Sequence, residues 1–276
     1  MRLRRLKSAG LAMGKVGRML PVGMIRTSRY RRALGVAMLL AFSAVAALAQ
    51  AAPESPYYSR VNTFGFLAGY SNDSSHMLLG VAENRKLLNI GAMYSRRLFQ
   101  TRAGNLQYDL EILPVALESD PIDHYSMSFT APVVEGPFTQ TLTPVAPCHN
   151  SSGAGSYQIG DTTYDYTYSN SCARRWTIGE GISPIGLQWN FRTRHKLQPI
   201  VLGHGGYMYS TQPIPTTDAG SFNFTFDFGL GLELYRTKSR SIRVDYRYHH
   251  ISDHYTSAAN PGIDNGLATV TYSFGR

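Results

Sequence analysis

The chain has 276 residues, with 27 Lys and Arg, 18 Asp and Glu, and a formal net charge of +9 at pH 7. The charge is unevenly distributed, because residues 1–32 hold ten of the basic side chains and the first acidic residue is Glu54. The remainder carries 17 basic and 18 acidic side chains and is nearly neutral. A nucleic-acid-binding domain needs a basic surface in its folded part, so this distribution excludes that class.

The N-terminus has the three parts of a secretory signal. The basic residues are followed by an apolar stretch, "ALGVAMLLAFSAVAALA" at 33–49, in which Ala47 and Ala49 form an A-x-A cleavage site. We therefore expect residues 1–49 to be a signal peptide, with Met24 as an alternative start. Residues 50–61 are then a short periplasmic segment, and residues 62–276 form the folded part.

The clearest periodicity occupies residues 221–236, "SFNFTFDFGLGLELYR". Every even position from Phe222 to Leu234 is apolar, and the odd positions between them carry Asn, Thr, Asp, Gly and Glu. A period of two is typical of a β-strand. The apolar face is longer than the roughly 9 to 11 residues that a tilted strand needs to cross a bilayer. The pattern predicts a strand with one face toward lipid and the other toward a polar lumen.

Other segments repeat this alternation less regularly, at residues 64–70, 87–98, 106–113, 185–191, 198–209, 241–248 and 267–274. Together with 221–236 they predict an all-β fold, an eight-stranded antiparallel transmembrane β-barrel of the bacterial outer membrane. The segment "HMLLGVAE" at 76–83 is either the upper half of the second strand or a ninth strand. We favour the former, because single-chain bacterial barrels have even strand numbers. Pro114, Pro184 and Pro199 indicate bulges or strand ends.

The connections support this count. Three short basic links, "QTRAGN", "RTRHK" and "RTKSR", alternate with longer links at 71–77, 118–176, 211–220 and 253–265. Outer-membrane barrels have short periplasmic turns and longer external loops. The longest external loop is therefore expected at 118–176.

That loop contains both cysteines of the chain, Cys148 and Cys172. Because export leads to an oxidising compartment, we expect them to form a disulfide. Two cysteines are too few for a structural zinc site.

Chemistry-bearing residues concentrate in "YRYHHISDHYTSAANPGID", residues 246–264. The outward parity of the preceding strand continues to His250 and Ser252, while His249 falls on the lumen side. Asp264 has the outward parity of the last strand, whose start pairs with the end of the strand before it. Same-face neighbours lie about 6.6 Å apart. The three side chains are therefore predicted to converge on the outer surface as a nucleophile, a base and an acid.

These residues resemble the outer-membrane lipid A 3-O-deacylase family, PagL-like proteins related to sequences labelled acyloxyacyl hydrolase. The specific motif is "HIS" at 250–252 followed by "NPGID" at 260–264, and residues 80–98 and 181–191 are also similar. The resemblance implies an eight-stranded barrel that hydrolyses an ester-linked acyl chain of lipid A without a cofactor. It implies Ser252 as nucleophile, His250 as base and Asp264 as acid.

One residue departs from the family pattern. The motif usually has Asn after the serine, and this chain has Asp253. A side-chain donor for the oxyanion is then missing, which can cost roughly 100-fold to 1000-fold in rate. Arg174 and Arg175, at the external end of the fourth strand, are candidate contacts for lipid A phosphates.

Three other functions remain open from the sequence. A passive structural or adhesive barrel would have the same strands. An outer-membrane phospholipase A would use a similar His and Ser pair on a lipid-facing surface. Metal binding by His250, Asp253 and His254 would require side chains that do not converge by spacing alone.

Overall fold

The computed structural model describes residues 56–276. The predicted signal peptide and residues 50–55 of the predicted periplasmic segment lie outside the described residues. The strands are β1 (Asn62–Ser71), β2 (Lys86–Gln100), β3 (Gly104–Ala131), β4 (Glu135–Leu142), β5 (Ser151–Ile159), β6 (Thr162–Phe191), β7 (Leu197–Ser210), β8 (Phe222–Thr237), β9 (Arg240–Ser252) and β10 (Ile263–Gly275). No helix within residues 56–276 is long and apolar enough to cross a membrane.

Eight of these strands form a closed antiparallel ring. The order is β1-β2-β3-β6-β7-β8-β9-β10, and β10 pairs with β1 to close it. The eight predicted segments correspond to these eight strands, so the predicted fold is confirmed. Closure leaves no unpaired edge, which is what a sheet needs inside a bilayer.

The alternation in β8 has the predicted orientation. Phe228, Leu230 and Leu232 are exposed on the outer surface of the ring, whereas Asn223 and Glu233 are buried on the inside. Other exposed apolar side chains on the ring include Phe66, Ile90, Ile178, Leu187, Val244 and Val270. The outer surface is therefore an apolar belt suited to lipid.

The prolines lie at irregularities, as predicted. The β3 pairings skip Pro114, and the β6–β7 pairing skips Pro184. Pro199 follows the first two residues of β7, where the pairing with β6 ends at Ile200. A proline cannot donate to the ladder, so it is tolerated where pairing is interrupted.

Ion pairs fill the lumen. Arg243 contacts the Asp109 carboxylate at 3.0 Å, and Arg247 contacts Glu111 at 2.9 Å. His204 lies among these groups, with Nδ1 2.8 Å from Asp227 Oδ1. Near the periplasmic end, Arg60 enters the lumen from the N-terminal segment and pairs with Glu233 at 2.7 Å. The barrel interior is thus a packed polar core and leaves no wide channel, as expected for eight strands.

The outer end of the lumen is closed differently, by an apolar cluster. Its members are Ala82, Leu87, Ala116, Met208, Ile214, Ile251, Ile263 and Leu267. Above it, the buried Arg85 guanidinium donates to the carbonyls of Val145 and Pro215, and so ties three external segments together. Burial lowers the pKa of Arg85, although the neighbouring Asp120 carboxylate opposes that shift.

Residues 76–83 do not form a strand, contrary to the prediction. They belong to a loop that folds inward over the start of β10, with bridges from Ser74 to Asn265 and from Ala82 to Ile263. The segment looks like a strand in sequence because its apolar residues lie on two sides. Leu78 and Leu79 are exposed on the outer surface, and Ala82 belongs to the buried cluster. Its backbone N–H groups bond mainly to the segment that leads into β10, as Val81 donates to the Pro261 carbonyl and Ala82 to the Gly262 carbonyl.

Residues 118–176 also differ from the predicted long loop. Strands β3 and β6 continue through most of this region as a paired ribbon, and β4 and β5 add to its two sides. The result is a four-stranded external sheet in the order β4-β3-β6-β5. The Cys148–Cys172 disulfide is present and joins the β4–β5 connection to β6, as predicted.

Candidate functional site: a histidine, a carboxylate and a serine on the outer wall

Strand register aligns the predicted site residues. Asp264 of β10 lies directly opposite His250 of β9, and His250 lies opposite Phe226 of β8. Ser252 lies two residues further out on β9, opposite Phe224. His249, with the opposite parity, has Nδ1 3.7 Å from the luminal Asp227 carboxylate. His250 therefore faces the outer wall and His249 faces the lumen, as strand parity predicts.

The His250 and Asp264 side chains form a short hydrogen bond. His250 Nδ1 lies 2.6 Å from Asp264 Oδ1, and the Tyr248 hydroxyl donates to the same oxygen at 2.8 Å. Because an ionised carboxylate only accepts, Nδ1 carries the proton and Nε2 of a neutral imidazole is left with a free lone pair. A general base next to a nucleophile needs this tautomer.

The second Asp264 oxygen is held by the loop at 76–83. The backbone N–H groups of Leu78 and Leu79 donate to Asp264 Oδ2 at 2.8 and 2.9 Å. Gly80 permits this approach, since a Cβ there would lie 2.7 Å from the backbone of Asp264 and 2.9 Å from its Oδ1. Four donors therefore fix the orientation of one carboxylate, and sequence reasoning missed the two from the loop because they are backbone groups.

An open cleft of about 610 Å³ lies beside the pair. Its lining includes His250 and Ser252 together with the apolar side chains of Leu79, Phe224 and Phe226. Within residues 56–276, no hydrogen bond joins the Ser252 hydroxyl to the imidazole. Ser252 and His250 thus line the same cleft without a direct hydrogen bond, a geometry that is common in enzyme sites without substrate.

Asp253 points away from this cleft. Its Oδ2 accepts from the backbone N–H of Gly220 at 3.0 Å, and its Oδ1 accepts from the N–H of Tyr255 at 3.0 Å. The side chain is buried and connects the β7–β8 loop to the turn after β9. The carboxylate is therefore occupied by backbone donors, and it is not among the residues that line the cleft.

Residues 139–273 match the family model described as lipid A 3-O-deacylase (PagL). The predicted resemblance to the lipid A 3-O-deacylase family is confirmed. The matched region includes β6 to β9, nearly all of β10 and every site residue predicted from the sequence, but not the loop at 76–83. No curated protein sequence matches the chain significantly.

Three solved structures illustrate the overall similarity. The outer-membrane enzyme PagL matches with a TM-score of 0.40 and 11% identity, over 78% of this chain and 99% of that chain. Neisserial surface protein A matches with a TM-score of 0.37 and 10% identity, over 78% and 97%. The outer-membrane protein OprG from Pseudomonas aeruginosa matches with a TM-score of 0.35 and 11% identity, over 81% and 100%.

Asn260, within the family motif, is a further polar residue at the cleft. Its Oδ1 accepts from the Asp253 N–H at 3.1 Å, so the amide nitrogen Nδ2 faces the other way. Within the described residues Nδ2 makes no hydrogen bond, and Asn260 lines the cleft. An amide held by one atom and free at the other is a preorganised donor. Its position in the "NPGID" motif was the available sequence signal.

Arg174 and Arg175 are not brought to the cleft. Arg174 donates to Ser119 at 3.1 Å and also to Asn84, while Arg175 pairs with Asp120 at 3.0 Å. Both lie on β6, separated from β9 by β7 and β8. They bind neighbouring external segments, and contact with lipid A phosphates remains a prediction for them.

One group of side chains has the composition of a metal site. The ligand atoms of Asp109, Glu111 and His204 lie within 4.8 Å of one another in the lumen. However, Arg243 and Arg247 already donate to these carboxylates. A cation at this point would be repelled by both guanidinium groups, so the cluster is better described as an ion-pair network. The other candidate metal site, formed by His250, Asp253 and His254 at the outer surface, loses one ligand because the Asp253 side chain faces away from His250.

Proposed function

We propose that the protein is an outer-membrane serine esterase that removes an ester-linked acyl chain from lipid A of lipopolysaccharide. The observation that carries this proposal is the hydrogen-bonded His250–Asp264 pair beside Ser252 in a cleft on the outward face of the barrel. A site that opens toward lipid, at the level of the external loops, suits a substrate that is itself an outer-leaflet lipid. The family match supports the same substrate class.

The proposed reaction starts at Ser252. Its Oγ attacks the ester carbonyl of the acyl chain while His250 Nε2 accepts the hydroxyl proton. The protonated imidazole is stabilised by Asp264, whose charge is held in place by Tyr248 and the loop amides. The proton then passes to the departing sugar hydroxyl, which leaves an acyl-serine. A water molecule, deprotonated by His250, hydrolyses the acyl-serine and releases the fatty acid.

The negative charge on the carbonyl oxygen needs a donor during this reaction. We assign Asn260 Nδ2 to this role, because it lines the cleft and has no other hydrogen bond among residues 56–276. Asp253, where the family has Asn, then orients Asn260 through its backbone N–H and does not oppose the oxyanion. Leu79, Phe224 and Phe226 form the apolar wall for the acyl chain.

Mass spectrometry of lipid A from cells that produce the full-length protein tests the proposal. We expect wild type to remove one hydroxyacyl mass and Ser252→Ala to leave lipid A intact. Thr225→Ala removes the hydroxyl of a residue that borders the cleft but has the luminal parity of β8, so this matched control should retain activity. Intact lipid A with all three proteins would contradict the proposal; release of phospholipid fatty acids instead would favour a phospholipase.

A further inference from the structure

The external sheet beyond the barrel has two chemically different faces. One face carries a cluster of aromatic rings and a methionine: Tyr125, Met127, Phe129, Phe138, Tyr157, Tyr164, Tyr166 and Tyr168. Glu135, Gln140 and Asn170 lie on the same face at the edges of this cluster. The other carries hydroxyl side chains on the same strands, including Ser126, Ser128, Thr139, Thr141, Ser152, Ser156, Thr163, Thr167 and Ser169. The register that aligns them is Tyr157 with Tyr164, Tyr166 with Phe129, and Met127 with Phe138.

The rings form one continuous surface. Tyr157 stacks on Tyr164 with ring centroids 5.6 Å apart, and Phe129 contacts the rings of both. Tyr166 lies flat against Gly155 of β5, since a Cβ there would be 2.7 Å from the tyrosine hydroxyl. A glycine at this position therefore lets the ring lie along the sheet and present one face outward.

This aromatic face continues the lipid-facing surface of the barrel. Even-numbered residues of β6 face outward at the top of the barrel, where Trp176 and Ile178 are 50% and 58% exposed. The same parity runs without a bulge in β6 to Tyr168, Tyr166 and Tyr164. The face is therefore directed away from the barrel axis, above the apolar belt, toward the molecules that surround the barrel in the outer leaflet.

Charge narrows the choice of ligand. Residues 121–173 contain no Lys or Arg, and their acids are Asp123, Glu135, Asp161 and Asp165. A surface for phosphate groups or acidic partners would need cations. An interface with lipid tails would need aliphatic side chains in place of phenol hydroxyls. Flat rings with hydroxyl edges match the apolar C–H faces and the hydroxyl rims of neutral sugar rings.

We propose that this tyrosine face binds the saccharide chain of a lipopolysaccharide molecule next to the barrel. The proposal rests on the outer-leaflet location contained in the proposed function, but not on the catalytic residues. The face lies on β3 to β6, whereas the cleft lies on β8 to β10, so sugar and acyl chain occupy separate parts of the protein. The disulfide supports the face by joining the β4–β5 connection to Cys172, at the base of the aromatic row.

Binding can be measured with full-length protein in detergent and with acyl-free oligosaccharide, released from lipopolysaccharide by mild acid. We expect saturation-transfer NMR signals and a titratable affinity for wild type. The triple variant Tyr164→Ser, Tyr166→Ser, Tyr168→Ser should weaken binding at least about tenfold. The matched control on the opposite face of β6, Thr163→Ala, Thr167→Ala, Ser169→Ala, should bind as wild type does. The single variant Phe138→Ser, on exposed strand β4, should weaken binding without altering β6.

Either absence of oligosaccharide binding by wild type or equal binding by the tyrosine variant would overturn the proposal. It would also be overturned if the tyrosine substitutions changed only self-association in analytical ultracentrifugation, since the face would then join two copies of the chain. Deacylation of lipid A is followed in parallel. Sugar binding without deacylation by wild type would refute the esterase alone, and deacylation without sugar binding would refute the saccharide site alone.

Discussion

Two histidine–carboxylate pairs in this barrel have nearly the same geometry and different surroundings. In the lumen, His204 Nδ1 lies 2.8 Å from Asp227; on the outer wall, His250 Nδ1 lies 2.6 Å from Asp264. The second nitrogen of His204 faces Asp109 at 3.4 Å and the ring also contacts Arg247. The second nitrogen of His250 has no partner among the described residues and belongs to a side chain that lines the cleft.

A histidine–carboxylate pair alone therefore does not indicate catalysis. His204 is enclosed by two arginines and three carboxylates, so its protons and charges are fully engaged in the stability of the lumen. His250 has one carboxylate, one free nitrogen and an adjacent serine. Access to the cleft and the unused nitrogen are therefore the features on which the proposed catalytic role of His250 rests, and His204 lacks both.

The largest difference is expected between two variants in which one of the adjacent histidines of β9 is replaced by Asn. His250→Asn removes the base and should lower the rate of lipid A deacylation by about 10⁴-fold or more. His249→Asn alters the luminal neighbour and should retain the rate within a few-fold. Both rates are measured on purified lipopolysaccharide, and the heat-dependent gel mobility of each variant checks that the barrel is folded. Equal losses in the two variants would refute the distinction between outer wall and lumen.

Asp264→Asn tests whether the Asp264 carboxylate fixes the tautomer of His250. The amide keeps the shape of the side chain but loses the charge that orients Nδ1–H and stabilises the imidazolium. We expect a loss of roughly 10² to 10⁴-fold in kcat with little change in KM. Asp264→Glu, a longer carboxylate, should restore part of the rate. A variant without charge that remains fully active would rule out the acid role.

Asn260→Ala removes the proposed oxyanion donor. The expected loss is about 10² to 10³-fold in kcat, measured on the same substrate.

Asp253→Asn tests the role of the neighbouring carboxylate. An amide can accept at only one oxygen and would face one of the two backbone N–H groups with its own NH₂. We expect it to lower stability and not to raise activity. A gain in rate with Asp253→Asn would show that the carboxylate does oppose the oxyanion.

Gly80→Ala should have the smallest of these effects. The added Cβ pushes the loop at 76–83 away from Asp264, so the two amide donors move and the rate falls by about 10-fold to 100-fold. Gly205→Ala in β7 is the control, since a Cβ there meets only the Ile185 carbonyl oxygen at 4.0 Å. If both glycine variants keep the wild-type rate, the loop does not position the carboxylate.

The barrel and the faces on which its residues lie could be predicted because a strand has a strict period of two. Parity alone assigned His250, Ser252 and Asp264 to the outer surface and His249 to the lumen. The strands of the external sheet were detectable in principle, since "TYDYTYSNS" alternates with the same period.

The loop contacts could not be predicted. Leu78 and Leu79 act through their backbone N–H groups, which carry no side-chain signal, and their apolar side chains imitate a strand. The role of Gly80 depends on a close approach between segments far apart in the chain. The free amide of Asn260 follows from one hydrogen bond to the Asp253 backbone, which only the folded turn supplies.

Covalent labelling is the most direct test of the proposal that Ser252 is the nucleophile. Full-length protein in detergent is treated with a long-chain alkyl fluorophosphonate, and the labelled peptide is identified by mass spectrometry. We expect a single adduct on Ser252, reduced in His250→Asn and retained in His249→Asn. An adduct at another residue, or no adduct from a preparation that still deacylates lipid A, would contradict it.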